Sequence, residues 1–82
     1  MPKALDEGPY RFYFVSFDCN EPMHVHVQRD DCEAKIWLES REVAFNYGFA
    51  AHELNDIEDI IIENHTQFVE AWYERCGRRR TR

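Results

Sequence analysis

Apolar and polar residues alternate along His24-Val25-His26-Val27. Successive side chains of an extended strand point to opposite faces. Val25 and Val27 are therefore expected to face a core, while His24 and His26 stand together on the other side. The alternation returns at 34–39, with Ala34, Ile36 and Leu38 on one face and Lys35, Trp37 and Glu39 on the other. Upstream, Tyr10 to Phe17 is rich in aromatic and β-branched residues, a strand signature. Its apolar residues fall on both faces, so this strand should be central or covered on both sides. Val43 to Asn46 reads as a short fourth strand, ended by Tyr47-Gly48. Polar clusters at 18–22, 30–33 and 40–42 mark the turns. Residues 1–9 read as a lead-in loop or short edge segment ended by Gly8-Pro9.

From residue 50 the period changes. Leu54, Ile57, Ile61, His65, Phe68 and Trp72 follow at spacings of 3, 4, 4, 3 and 4, averaging the 3.6 of an α-helix. The phase does not slip at Asn64, which predicts one long amphipathic helix from about residue 50 to 76. Gly77 is placed to end it. Ala50 stands where a capping Ser or Asp is expected, although Glu53 supplies half of a capping box. A helix of this length is about 40 Å long, against about 20 Å for the strands. Its end must bend, break or project. A projecting end would present Phe68, Val69, Trp72 and Tyr73 as an interface for a second copy or another protein. A kink near Asn64 would instead fold that end back.

The expected fold is α+β: an antiparallel sheet of three to four strands packed on one long C-terminal amphipathic helix. Residues 1–77 form the expected single domain, and 78–82 a basic tail that reads as a solvated, frayed terminus. Six Phe, four Tyr and two Trp supply the large buried areas that so short a chain requires.

The formal net charge is −6, unevenly spread. Arg78, Arg79, Arg80 and Arg82 hold four of the ten positive charges. The remaining body carries six Lys/Arg against sixteen Asp/Glu, net −10. An acidic body repels phosphate backbones, which disfavours nucleic acid as a partner. Three cysteines, no secretory leader and no membrane-length apolar run point to a cytoplasmic protein with reduced thiols and no membrane partner. Cys19 and Cys32 flank the histidine strand, and its length of roughly 20 Å keeps them from pairing.

If the helix covers Val25, Val27, Ile36 and Leu38, the opposite face shows His24, His26, Gln28, Lys35, Trp37 and Glu39. Three readings of this patch are open. In the first, His24 and His26 act as acid and base on a phosphodiester, Lys35 stabilises the charged intermediate and Trp37 stacks a base. In the second, Cys19, Glu21, His24 and His26 bind a metal, although no Cys-x-x-Cys pair supports a structural zinc. In the third, the patch grips a protein or a second copy without chemistry, with Trp37, Gln28 and Glu39 as contacts. Neither a metal nor a cofactor is expected. His52 reads as solvent-facing, His65 as a satisfied core histidine, Cys76 as a small apolar residue at a helix end, and Asp30 and Asp31 as turn residues.

The runs Tyr10-Arg-Phe-Tyr-Phe, Glu21-Pro-Met-His-Val-His-Val, Glu33-Ala-Lys-Ile-Trp-Leu and Asn46-Tyr-Gly-Phe, with the helix opening Glu53-Leu and ending Glu70-Ala-Trp, resemble the bacterial family catalogued as domain of unknown function 4160. The resemblance runs from about residue 2 to 77. It implies a small stand-alone bacterial protein, one member of a toxin–antitoxin-like pair. It names no activity. His24, His26, Lys35 and Trp37 belong to its pattern, whereas Cys19 and Cys32 do not. The sequence departs from it at Met23, where a second Pro is usual, and at Ala50, where a capping Ser is usual. A fold-level analogy to small ribonuclease toxins keeps a histidine-dependent RNA-binding or ribonuclease role as the alternative.

Overall fold

The structure, a computed structural model, describes residues 3–15 and 18–77. The end of the strand expected over Tyr10 to Phe17, and the Arg78–Arg82 tail, lie outside the described residues. Five strands form one antiparallel sheet: β1 (Lys3–Glu7), β2 (Tyr10–Tyr13), β3 (His24–Arg29), β4 (Cys32–Trp37) and β5 (Val43–Tyr47), hydrogen-bonded in chain order. Two helices follow, α1 (Ala51–Glu63) and α2 (His65–Cys76). The class is α+β as expected. The strand count is higher than expected because 3–7 pairs with β2 through a turn at Gly8, whose φ is +57°. The sequence Lys-Ala-Leu-Asp-Glu lacks the apolar alternation that would announce a strand, so its β form comes from pairing alone.

The register places Tyr13 beside His26, His26 beside Lys35 and Lys35 beside Phe45. On the other face Phe12 pairs with Val27 and Val27 with Ala34. That second set forms the core with Val25, Ile36, Leu38, Ile57, Ile61, Phe68 and Trp72. Phe12 meets Phe68 at 5.3 Å and Phe14 meets Trp72 edge-on at 5.8 Å between ring centroids.

The single long helix is corrected to two. Asn64 leaves helical geometry at φ −115°, ψ 23°. Its side-chain amide donates to the Ile60 carbonyl at 2.9 Å, the same oxygen that its backbone N–H reaches at 3.0 Å. A side chain that competes for helical carbonyls weakens the helix where it stands. The next residue, His65, donates from Nε2 to the Leu38 carbonyl at 3.1 Å, tying the break to the end of β4. Periodicity could not reveal the break because α2 resumes in nearly the same phase. The consequence is that Phe68 and Trp72, expected on a projecting interface, lie in the chain's own core. Val69 and Tyr73 remain half-buried along a shallow hollow on α2.

Helix α1 starts where the period placed it. Ala50 offers no side-chain cap, and its N–H donates to Glu53 Oε1 at 3.1 Å, the expected half of a capping box. That backbone hydrogen bond, with Arg29 Nη2 at 2.6 Å, holds the Glu53 carboxyl below its ordinary pKa despite partial desolvation. Gly48 turns the chain from β5 toward α1 at φ +102°, and a Cβ there would meet Cys32 Sγ at 2.9 Å.

A disulfide joins Cys19 to Cys76, with their Cα atoms 5.4 Å apart. This overturns the expectation of reduced thiols for two of the three cysteines, and that of Cys76 as merely a small apolar residue. The break at Asn64 carries the end of α2 back beside the turn at Asp18–Asn20, a proximity that no local spacing encodes. Cys32 is free, at the far end of the β3–β4 hairpin.

Candidate functional site

Among the described residues the helices pack mainly on the first face of the sheet, yet the second face also buries its central side chains. His24 is 0% exposed and His26 is 7% exposed. Both project from β3 on the side opposite Val25 and Val27, as the alternation requires. Four aromatic neighbours close around them. The His24 ring lies 5.3 Å from His26, 5.5 Å from Trp37 and 5.2 Å from Trp72. Tyr13 stacks on His26 at 5.3 Å, nearly parallel, and Phe45 flanks it at 6.3 Å. Trp72, packed on Phe14 as well, closes the end of the sheet.

Charged groups lie over these rings. Lys35 Nζ sits 2.5 Å from Glu21 Oε1 and 4.8 Å above the Trp37 ring, so its charge is held by a carboxylate and by an aromatic face together. The same Glu21 oxygen is 3.8 Å from His24 Nδ1. The Tyr13 hydroxyl donates to Glu33 Oε2 at 2.7 Å, and that oxygen lies 4.0 Å from His26 Nδ1. His24 Nδ1 is 2.8 Å from the Pro22 carbonyl. A carbonyl can only accept, so Nδ1 donates to it.

The structure thus brings together four of the residues singled out from sequence: His24, His26, Lys35 and Trp37. Gln28 shares their face but lies two rungs away, beside Arg11 and Glu33. Glu39 does not join them. It follows the end of β4, exposed, and lines a separate hollow near Cys19 and Tyr73. Sequence reasoning missed Tyr13, Glu33 and Phe45 as members of the patch. Glu33 precedes Lys35 by two residues on β4 and shares its parity, while for Tyr13 and Phe45 the signal was the parity of β2 and β5 once their pairing is known.

As for chemistry, a phosphodiester reaction needs both imidazoles to reach a substrate, and here both are enclosed, with Lys35 already engaged by Glu21. The metal reading loses a ligand because the Cys19 sulfur is bonded to Cys76. Among the described residues no group of three or more His, Cys, Asp or Glu is placed to hold a metal ion. What the face does offer is an apolar border. Phe45, half-buried, and Tyr47, 67% exposed, share it along β5, the last strand of the sheet, whereas Val43 pairs with Ile36 beyond a shift in register. The Phe45 and Tyr47 rings lie 5.0 Å apart.

Comparison with known proteins gives one result. A family model described as a domain of unknown function, DUF4160, matches residues 10–73. No curated protein and no solved structure matches the chain. Among the described residues no helix is long and apolar enough to cross a membrane. The matched span covers every residue of the aromatic and charged cluster around His24, and most of both helices, so the chain belongs to this family.

Proposed function

We propose that this family member is a small cytoplasmic protein-interaction domain, one half of a toxin–antitoxin-like pair, which receives an extended segment of its partner along β5. The observation that carries the reading is the stripe of half-buried Phe45 and exposed Tyr47 on a strand whose outer edge pairs with no other strand among the described residues. An edge strand presents a row of backbone donors and acceptors, and a partner strand that pairs there gains main-chain hydrogen bonds as well as side-chain contacts. Large apolar side chains on such an edge are a liability unless something covers them. The body's net charge of −10 favours a basic partner by long-range attraction.

In this reading His24 and His26 are not reagents. They fill the space under Trp37 and Lys35 and hold the floor on which the β5 stripe rests. Their enclosure gives the ribonuclease alternative little support, and no observation favours it over the binding module.

The test is co-purification from the native host, with the captured protein identified by mass. The product of the neighbouring gene is expected to be retained by the wild type and by His26→Ala, and lost with Tyr47→Lys. Growth arrest on overexpression that His24→Ala or His26→Ala abolishes, with the fold intact, would overturn the proposal in favour of the nuclease.

A further inference from the structure

We propose that the Cys19–Cys76 disulfide is a thiol-exchange site, opened by a dithiol reductant, whose opening uncovers His24. The bond joins the two segments that enclose this ring. Cys19 lies in the turn Asp18–Asn20, which runs directly into Glu21 and Pro22. Glu21 holds Lys35 over the face, and the Pro22 carbonyl accepts the His24 Nδ1 proton. Cys76 is the last residue of α2, one helical turn beyond Trp72, whose indole lies 5.2 Å from the His24 ring. Both walls are fixed to each other by one covalent link across 57 residues of sequence.

The link is open to attack. Cys19 is exposed and a hollow of about 340 Å³ opens beside it, between Glu21 and Tyr73. An incoming thiolate bonds to Cys19 Sγ, the Cys19–Cys76 bond breaks, and its electron pair leaves on Cys76 Sγ, which takes a proton. The mixed disulfide at Cys19 must then be resolved. Cys32 cannot do so, because it sits at the opposite end of β3, roughly 20 Å away. The reductant therefore supplies both thiols: its second thiolate attacks its own sulfur in the mixed disulfide and releases Cys19 as a thiol. The protein gains two electrons and two protons, and the reductant leaves as a disulfide. With the link gone, the final turn of α2 and the 18–22 segment separate, Trp72 lifts from His24, and the imidazole meets solvent. This does not depend on what binds β5.

The test uses the full chain purified without reductant, with Trp37→Phe so that Trp72 is the sole tryptophan. Treatment with dithiothreitol should raise the free thiols from one to three, shift Trp72 emission to the red, and speed acylation of His24 by diethylpyrocarbonate about tenfold, as local opening would. The site of acylation is located by peptide fragmentation, and helical circular dichroism should persist. Cys19→Ser should show the reduced behaviour without reductant. Three thiols already free before treatment would overturn the proposal, as would unchanged Trp72 emission and His24 acylation after reduction. Loss of helical signal on reduction would overturn it too, marking the bond as a structural staple.

Discussion

The two faces of the sheet bury their side chains by different means. On the helix side, Phe12, Val25, Val27, Ala34 and Ile36 are covered by Ile57, Ile61 and Phe68 from a second layer. On the other side no second layer is built from the described residues, yet Tyr13, His24 and His26 are nearly as buried. They are covered by one another, by Trp72 at the end of the sheet, and by the Glu21–Lys35 pair above. An apolar face packs against whatever apolar surface is brought to it. A polar–aromatic face needs matched partners, since a buried polar group without a hydrogen bond is costly. The helix face therefore serves stability, and the second face has a composition that stability alone does not call for.

The contrast can be broken by substitution. Phe68→Ala should cost about 3–5 kcal/mol, the range for emptying a packed aromatic site. Tyr47→Ala, on the stripe of the second face, should change stability by no more than about 0.5 kcal/mol, as for other exposed positions. Chemical denaturation of both variants measures the difference, and comparable losses would erase the distinction between the faces. His26→Phe probes the second face from within. The new ring keeps the stacking on Tyr13 but is bulkier than imidazole, so a cost of about 1–3 kcal/mol is expected, as for overpacking a filled site. A larger loss would mean that the imidazole nitrogens themselves hold the face together.

Smaller effects sharpen the helix side. Ala50 occupies the N-cap in extended geometry with no side-chain acceptor. Ala50→Ser should raise stability by about 1 kcal/mol, read as a higher melting temperature. Glu53 gives a pH signature. Its carboxyl is held below the ordinary value by the Ala50 N–H and Arg29. A depressed carboxyl contributes stability that is present above its unfolded pKa, near 4.3, and lost as pH falls through its folded value. The melting temperatures of the wild type and Glu53→Gln should therefore differ at neutral pH and converge as the pH falls below the ordinary carboxylate range and through the lowered folded value. A constant gap across that range would remove Glu53 from the account.

Much of the fold was legible because it follows local periods. Alternation in 24–27 and 34–38 assigned each side chain to its face, and the 3.6 period from Leu54 to Trp72 assigned the helical stripe. Both rest on fixed backbone geometry and need no knowledge of neighbours. The break at Asn64 leaves no mark on the period, because two helices in register keep one; only the excess of helix length over strand length pointed to a kink there. Strand β1 was open between a loop and a short edge segment, and pairing with β2 decided for the edge strand. For the site, His24, His26, Lys35 and Trp37 could be placed together from parity. Tyr13 and Phe45 could not, because membership there is a matter of register across strands, and Glu33 was missed because 30–33 read as a turn although β4 begins at Cys32.

The sequence by itself determined which residues share a face and that a pair of imidazoles stands opposite the core. Only the tertiary structure decided that this pair is enclosed rather than displayed, that Trp72 closes over it, and that Cys19 meets Cys76. Periodicity is set by the backbone within a single element. Enclosure and cross-linking depend on where the chain returns in space, and here that return follows the break between α1 and α2 at Asn64.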